Sequence, residues 1–344
     1  MPDYNWPKGR DTPYWGDTIR QSRLTTDSET LFAQSTAAFG WGGSADPAIG
    51  QTWKVARNSS SSTGVIWCAE LGFFVSSGTS GFQYSVDGSN WTTSAFFVGY
   101  TPYSVCWSRE LNLFVAVGQR YSGSAHIWIS ANAVEWTMIN APANNDSRTV
   151  CWSPDLGIFL ALAQSGTGNR LMTSTDGYNW SIQTNAIGDG LWQNVTWVSE
   201  LSLFIAVSNT SGIYRSADGL TWNFAGTVGQ TFAAIWDSNA KVLYVSIGAG
   251  ARNIVLSRNG TSFGTSASIF SSGNGTSAGC YSPELRRAVF TDYSNNPAVY
   301  SIGDPLNGRV SSTPIQANNS ICWSPELRTF VAGGSGGIMY SDGL

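Results

Sequence analysis

The chain has one histidine, His126, and only 12% of its residues are charged. It contains no run of Lys and Arg, and its formal net charge is −4, so it has no electrostatic basis for gripping a phosphate backbone. Nucleic acid is therefore not expected as a partner. No stretch approaches the roughly 20 apolar residues that cross a bilayer, and membrane insertion is not expected either. The N-terminal MPDYNWPKGRDTPYW lacks the basic and apolar regions of a secretory signal, which points to a soluble chain made in a cytoplasm. The five cysteines, Cys68, Cys106, Cys151, Cys280 and Cys322, are odd in number and far apart, so neither a disulfide framework nor zinc-ligand spacing is visible.

What is abundant is glycine, with 38 residues, and tryptophan, with 16, among many Ser, Thr and Asn. That profile fits short strands joined by many turns. The strands repeat. SVCWSRELNLFVAVG begins at Ser104, TVCWSPDLGIFLALA at Thr149, NVTWVSELSLFIAVS at Asn194 and SICWSPELRTFVAGG at Ser320. Weaker copies begin at Gly64, Ala233 and Ala278. The anchor aromatics are Trp67, Trp107, Trp152, Trp197, Trp236, Tyr281 and Trp323, spaced by 40, 45, 45, 39, 45 and 42 residues. Four cysteines directly precede an anchor, which marks them as small buried side chains.

Each unit reads as four short strands: one ending near the anchor, a second such as LFVAVG, a third such as RLMTS, and a fourth that starts at a Trp. Four strands at this period predict an all-β, seven-bladed β-propeller over residues 51–344, preceded by a non-repeating N-terminal arm, residues 1–50. The two ends of the ring explain each other. The chain stops at Asp342-Gly343-Leu344, whereas elsewhere the same words run on, as in DGLTW at Asp218 to Trp222. The missing TW stands at Thr52-Trp53, so a strand over residues 52–58 is expected to complete the C-terminal blade and remove open sheet edges there.

The S-x-D-G-x-x-W stretches SVDGSNW, STDGYNW and SADGLTW, with decayed forms at Ser130 and Ser257, resemble the Asp-box (BNR) repeats of sialidase-like propellers. That resemblance implies a turn device in which Asp87, Asp176, Asp218 and Asp342 bond local amides and the Trp packs between sheets. This chain has one residue fewer between Asp and Gly than the usual box. A sialidase would also imply an arginine triad, a Tyr/Glu pair and an acid, and no motif here picks out three arginines. Three places after each anchor stands an acid: Glu70, Glu110, Asp155, Glu200, Glu284 and Glu326, with Asn239 the exception. One per blade, they stand too far apart to close on one metal and read as turn residues; no metal or cofactor is expected.

In an up-and-down blade the repeated turns share one face, while second-to-third loops and interblade connectors share the other. Variable loops on a rigid scaffold are where recognition sits. They offer Phe97, Tyr100, Tyr103, Tyr121, Trp192 and Tyr293 beside Asn145, Arg148 and Asn194, a mixture suited to a sugar or to a protein interface. The arm carries Trp6, Trp15 and Trp41 and a capping box from Thr26 to Glu29 that predicts a short helix over residues 27–38. Apolar aromatics in a segment too small for its own core imply docking on the ring or on another subunit.

The combined repeat resembles those of bacteriophage tail and other virion-associated proteins. It implies a non-enzymatic virion structural protein, tail or fibre associated and assembled in the host cytoplasm. Its arm would contact other virion subunits in an oligomeric assembly, and its propeller would recognise a host-surface glycan or protein. A free carbohydrate-binding lectin is the first alternative. A sialidase-like or paired-carboxylate glycosidase is the second.

Overall fold

Runs such as Leu113–Gly118 (LFVAVG) and Ile158–Ala163 (IFLALA) are almost wholly buried, as expected of strands covered on both sheet faces. The computed structural model describes residues 49, 52–58, 61–95, 97–119, 123–248, 253–264, 267–268, 276–292, 298–302, 309–316 and 318–341. The expected helix over residues 27–38, most of the arm, and Tyr121, Tyr293 and Asp342 lie outside them.

The described residues form four-stranded antiparallel sheets arranged as the blades of an all-β propeller. Six sheets are built from strands consecutive in sequence; the seventh unites Lys54–Arg57 with three C-terminal strands. Lys54 pairs with Tyr340, Val55 with Met339 and Arg57 with Ile338, so the expected N-terminal strand does complete the C-terminal sheet. The first strands of blades 1 to 7 are Ser62–Cys68, Pro102–Ser108, Ser147–Ser153, Trp192–Val198, Thr231–Asp237, Thr276–Ser282 and Ser320–Ser324. Each touches the first strand of the next blade, and the seventh touches the first, which makes these strands the inner wall of a closed ring.

Aromatic pairs fill the gaps between blades. Each anchor sits opposite the residue seven places on, and in five blades that residue is Phe: ring centroids are 4.6 Å apart for Trp67 and Phe74, 4.3 Å for Trp107 and Phe114, and 4.4 Å for Trp152 and Phe159. Trp197 with Phe204 and Trp323 with Phe330 repeat the arrangement at 4.7 and 4.5 Å. All five Phe are completely buried, which makes them large contributors to the apolar burial that drives folding.

The third-to-fourth turns are saturated with hydrogen bonds. Asp176 Oδ1 accepts from the N–H of Tyr178 at 2.8 Å and of Asn179 at 2.7 Å, while Ser174 Oγ accepts from Gly177 N at 2.9 Å. The Trp180 indole then donates to the Gly177 carbonyl at 2.8 Å. Asp87 and Asp218 make the equivalent bonds. In the decayed copies Asn132 and Asn259 accept the same two N–H groups. Gly177 has φ +77°, and a Cβ there would stand 2.5 Å from Leu113 of the neighbouring blade, so its absence lets the turn seal the gap.

Candidate functional site at the mouth of the ring

Whether the repeated acids are free for chemistry decides what the ring can do. Most are committed to neighbouring blades. The Trp107 indole donates to Glu70 at 3.0 Å, Trp152 to Glu110 at 2.7 Å, Trp197 to Asp155 at 2.6 Å and Trp323 to Glu284 at 2.8 Å. Across the chain termini Trp67 donates to Glu326 at 2.7 Å. The acid of one blade thus latches the anchor of the next. The two exceptions in sequence meet each other: Tyr281, the anchor that is not Trp, donates its hydroxyl to Asn239, the residue that is not an acid, at 2.6 Å. Glu200 faces Trp236 but is engaged by Lys241 Nζ at 3.2 Å, and the indole N–H is left without an acceptor in good geometry. These acids are therefore more than turn residues, and their spacing around the ring is what a belt of latches requires.

Other chemistry-bearing groups are similarly placed. Burial pushes the thiol of Cys68 up to about 11 and that of Cys280 to about 12, and raises Cys106, Cys151 and Cys322 as well. Protonated thiols of this kind are poor nucleophiles. Asp237 accepts from the Tyr244 hydroxyl at 3.0 Å and from two backbone N–H groups. Residues 260–264, 275–279 and 333–337 match G-x-S-x-G, but the first lies in a third-to-fourth turn, the second runs into the inner strand Thr276–Ser282 and the third lies in a hairpin, with no helix following among the described residues. Among the described residues no group of three His, Cys, Asp or Glu is placed to hold a metal.

The opposite, connector face is different. In six blades the first strand carries a register shift at the same point, between Ser62 and Gly64, Pro102 and Ser104, Ser147 and Thr149, Trp192 and Asn194, Thr231 and Ala234, and Thr276 and Ala278. Bulges of this kind re-aim a side chain out of the ladder. The residue four before the anchor thereby leaves the ladder at the connector end of the inner strand: Thr63, Tyr103, Arg148, Gln193 and Ser277 are half-buried there, as is Asn319 at the same position in blade 7, whereas Phe232 is folded back and only 8% exposed. These are seven different residue types. The position just after them is small or polar, and the next is apolar in every blade or glycine.

Contacts run along this ring from blade to blade. Asn319 Nδ2 donates to the Ser62 carbonyl at 2.9 Å, Thr63 Oγ1 to the Pro102 carbonyl at 2.6 Å, and the Arg148 guanidinium lies 4.9 Å from the centre of the Tyr103 ring. Burial raises the pKa of Tyr103; Arg148 opposes the shift and Asp146 adds to it. Just inside the ring, Ser104 accepts from Val150 N at 3.3 Å, Thr149 from Val195 N at 3.2 Å and Ser320 from Val65 N at 3.0 Å.

Of the expected ligand residues, Tyr103 and Arg148 are brought together. Asn194 belongs to the inner brace, accepting from Ala234 N at 3.4 Å. Trp192 is a correction: it is fully buried, donates to the Gly188 carbonyl at 3.0 Å and stands edge-on to Tyr214, so it is core and not surface. Asn145 is a second, a buried clamp bonded to Asn169 O at 2.8 Å. Phe97 and Tyr100 are half-buried and pack around Trp128; Tyr100 also meets the His126 ring edge-on at 4.9 Å. Gln193, Ser277, Thr63 and Asn319 were missed; a usable signal was that their position changes residue type in every repeat.

No family model and no curated protein matches the chain. Among solved structures it is similar to the GH74 enzyme of Niastella koreensis, at 15% identity and a TM-score of 0.67, with 85% of this chain and 54% of that one covered. The chain thus spans about half the length of that enzyme. It is also similar to the WD40 β-propeller domain of Doa1, at 11% identity and a TM-score of 0.65, covering 84% of this chain and 96% of that one. Virginiamycin B lyase from Staphylococcus aureus gives 11% identity and a TM-score of 0.68, covering 84% and 98%. At such identities the likeness shows the fold alone: the chain is a β-propeller of four-stranded blades.

Proposed function

We propose that this chain is a seven-bladed, non-enzymatic recognition propeller of a virion, tail or fibre associated in a bacteriophage, and that the mouth of its ring reads a host-surface glycan. The observation that carries the recognition reading is the mouth itself, where unlike side chains stand on a backbone device repeated in six blades. A repeat that is constant wherever it folds and variable at one position beside the connectors is organised for reading. Tyr103 supplies a half-buried aromatic face, and Gln193, Asn319 and Arg148 supply hydrogen-bond groups, the pairing of chemistries that suits a pyranose. The commitment of most of the repeated acids to latches supports a non-catalytic role, because few carboxylates remain for a paired-acid mechanism. The virion assignment rests on the resemblance of the repeats.

The test is a glycan array probed with the full chain and with the Tyr103→Ala and Gln193→Ala variants. Each variant is expected to weaken binding by roughly tenfold, about 1.4 kcal/mol. Binding that survives both substitutions, or no binding by the full chain, refutes the glycan reading.

A further inference from the structure

Exposed apolar side chains are unevenly shared between the two faces of the ring. Among the described residues, eight of the twelve exposed large hydrophobics lie on the face of the repeated turns. Four are the leucines four places after an anchor, Leu71, Leu111, Leu156 and Leu327, each 36 to 40% exposed. The other four stand on the third-to-fourth turns beside them, among them Tyr178 at 57% and Leu220 at 48%. A face that concentrates apolar area in this way marks an interaction surface.

Blade 6 shows what covers it. Leu285 is the same leucine of the repeat, yet it is only 2% exposed, and it shares one buried cluster with Ile49, itself 1% exposed, Trp53 and Trp323. The Ile49 carbonyl accepts a hydrogen bond from Arg287, which is 7% exposed. At the position of Arg287 blades 1 to 5 carry Phe73, Leu113, Ile158, Leu203 and Val242. A buried cation therefore replaces an apolar residue in the blade where the incoming main chain brings an acceptor. Ile49 thus stands at the turn face of blade 6, ahead of Lys54–Arg57.

We propose that residues 1–48 of this same chain lie across the turn face and cover its leucine ring. They bring Trp6, Trp15, Phe32, Phe39 and Trp41 to a surface already covered at blade 6 by the residue that follows them. The proposal is independent of the glycan reading, since it leaves the connector mouth open.

Two measurements on the full chain test it. In the first, p-benzoylphenylalanine replaces Leu111 or Leu156, the protein is irradiated, and cross-links are mapped by mass spectrometry with mixed isotope labelling. Cross-links to peptides of residues 1–48 in the same chain are expected. Cross-links to the turn face of a second copy, to residues 1–48 of a second copy, or to neither overturn the proposal. In the second, trypsin cleavage at Lys8, Arg10, Arg20 and Arg23 is timed in the Leu111→Asp, Leu156→Asp double variant. Cleavage is expected to be roughly tenfold faster, because it follows the population of released segment. A rate equal to that of the parent chain, with near-UV circular dichroism unchanged, overturns it, and if the variant fails to fold the cross-linking decides alone.

Discussion

Removing one latch gives a sharp test of the belt of indole-to-acid bonds. Glu110 accepts from the Trp152 indole at 2.7 Å across the boundary between blades 2 and 3. A hydrogen bond to a charged group contributes about 1.5 to 3 kcal/mol, and solvent exposure of this pair places it near the lower end, so Glu110→Ala should cost about 1.5 kcal/mol. Trp152→Phe removes the same N–H while keeping a ring against Phe159, now 4.4 Å from the indole, at the added cost of lost ring area. Equilibrium unfolding in urea of the parent, both single variants and the double variant forms a complete cycle. The coupling energy should be about 1 kcal/mol, because the second substitution finds the bond already gone. Strictly additive costs, within about 0.3 kcal/mol, would refute the latch and return Glu110 to the role of a plain turn residue. Glu110→Gln, which keeps an acceptor oxygen, should fall between the parent and the Ala variant.

Other substitutions report on the turns and the core. Gly177→Ala places a methyl group 2.5 Å from Leu113 at φ +77°, and should destabilise by roughly 2 to 3 kcal/mol in urea unfolding. The backbone N–H and side-chain amide of Asn179, with Tyr178 N and Ser174, hold the Asp176 carboxyl at about 2. A depressed carboxylate stabilises above its unfolded value of 3.8 and loses that contribution as pH falls towards 2. Asp176→Asn, the residue already used at Asn132 and Asn259, keeps an acceptor for the two N–H groups but loses the charge, so it should be less stable than the parent at pH 7 and flatten the loss of stability between pH 4 and 2; an unchanged acid limb contradicts this. Arg328 closes its first-to-second turn at φ +50°, where Gly72 and Gly157 stand in blades 1 and 3, so Arg328→Gly should raise stability by about 0.5 to 1 kcal/mol. Trp192→Ala should cost about 3 to 5 kcal/mol as a core truncation, and a variant that loses only glycan binding would contradict its buried position.

The ring was legible in the sequence because its cause is periodic. An anchor every 39 to 45 residues and a turn that needs Gly each recur often enough to be seen, and the severed Asp342-Gly343-Leu344 matched Thr52-Trp53 for the same reason. The site was less legible because it depends on a shift of one residue. Tyr103 stands four places before its anchor and Trp192 five, and adjacent residues of a strand face opposite ways. Both are aromatics beside a variable connector, yet the bulge that releases Tyr103 leaves Trp192 in the core. Asn145 failed for a related reason: an amide can satisfy a backbone group or a ligand, and composition does not say which. The latches were written in the sequence in a form that only pairing reveals, since the one Asn among the acids and the one Tyr among the anchors are partners in space.

The seam between Lys54–Arg57 and Gly337–Ser341 also gives the ring a mechanical direction. Lys54 lies opposite Tyr340, so both chain ends leave the seam on the turn face, and tension on the upstream chain would peel the pairs one at a time and not shear them together. Peeling needs far less force than shearing. Ahead of the seam, however, such a pull meets the bond of Arg287 to the Ile49 carbonyl and the burial of Ile49 in one cluster with Leu285, both carried by blade 6. A load on the upstream chain would therefore be taken up by the neighbouring blade before it reached the zipped strand, a strain relief for the only joint in the ring that no peptide bond closes.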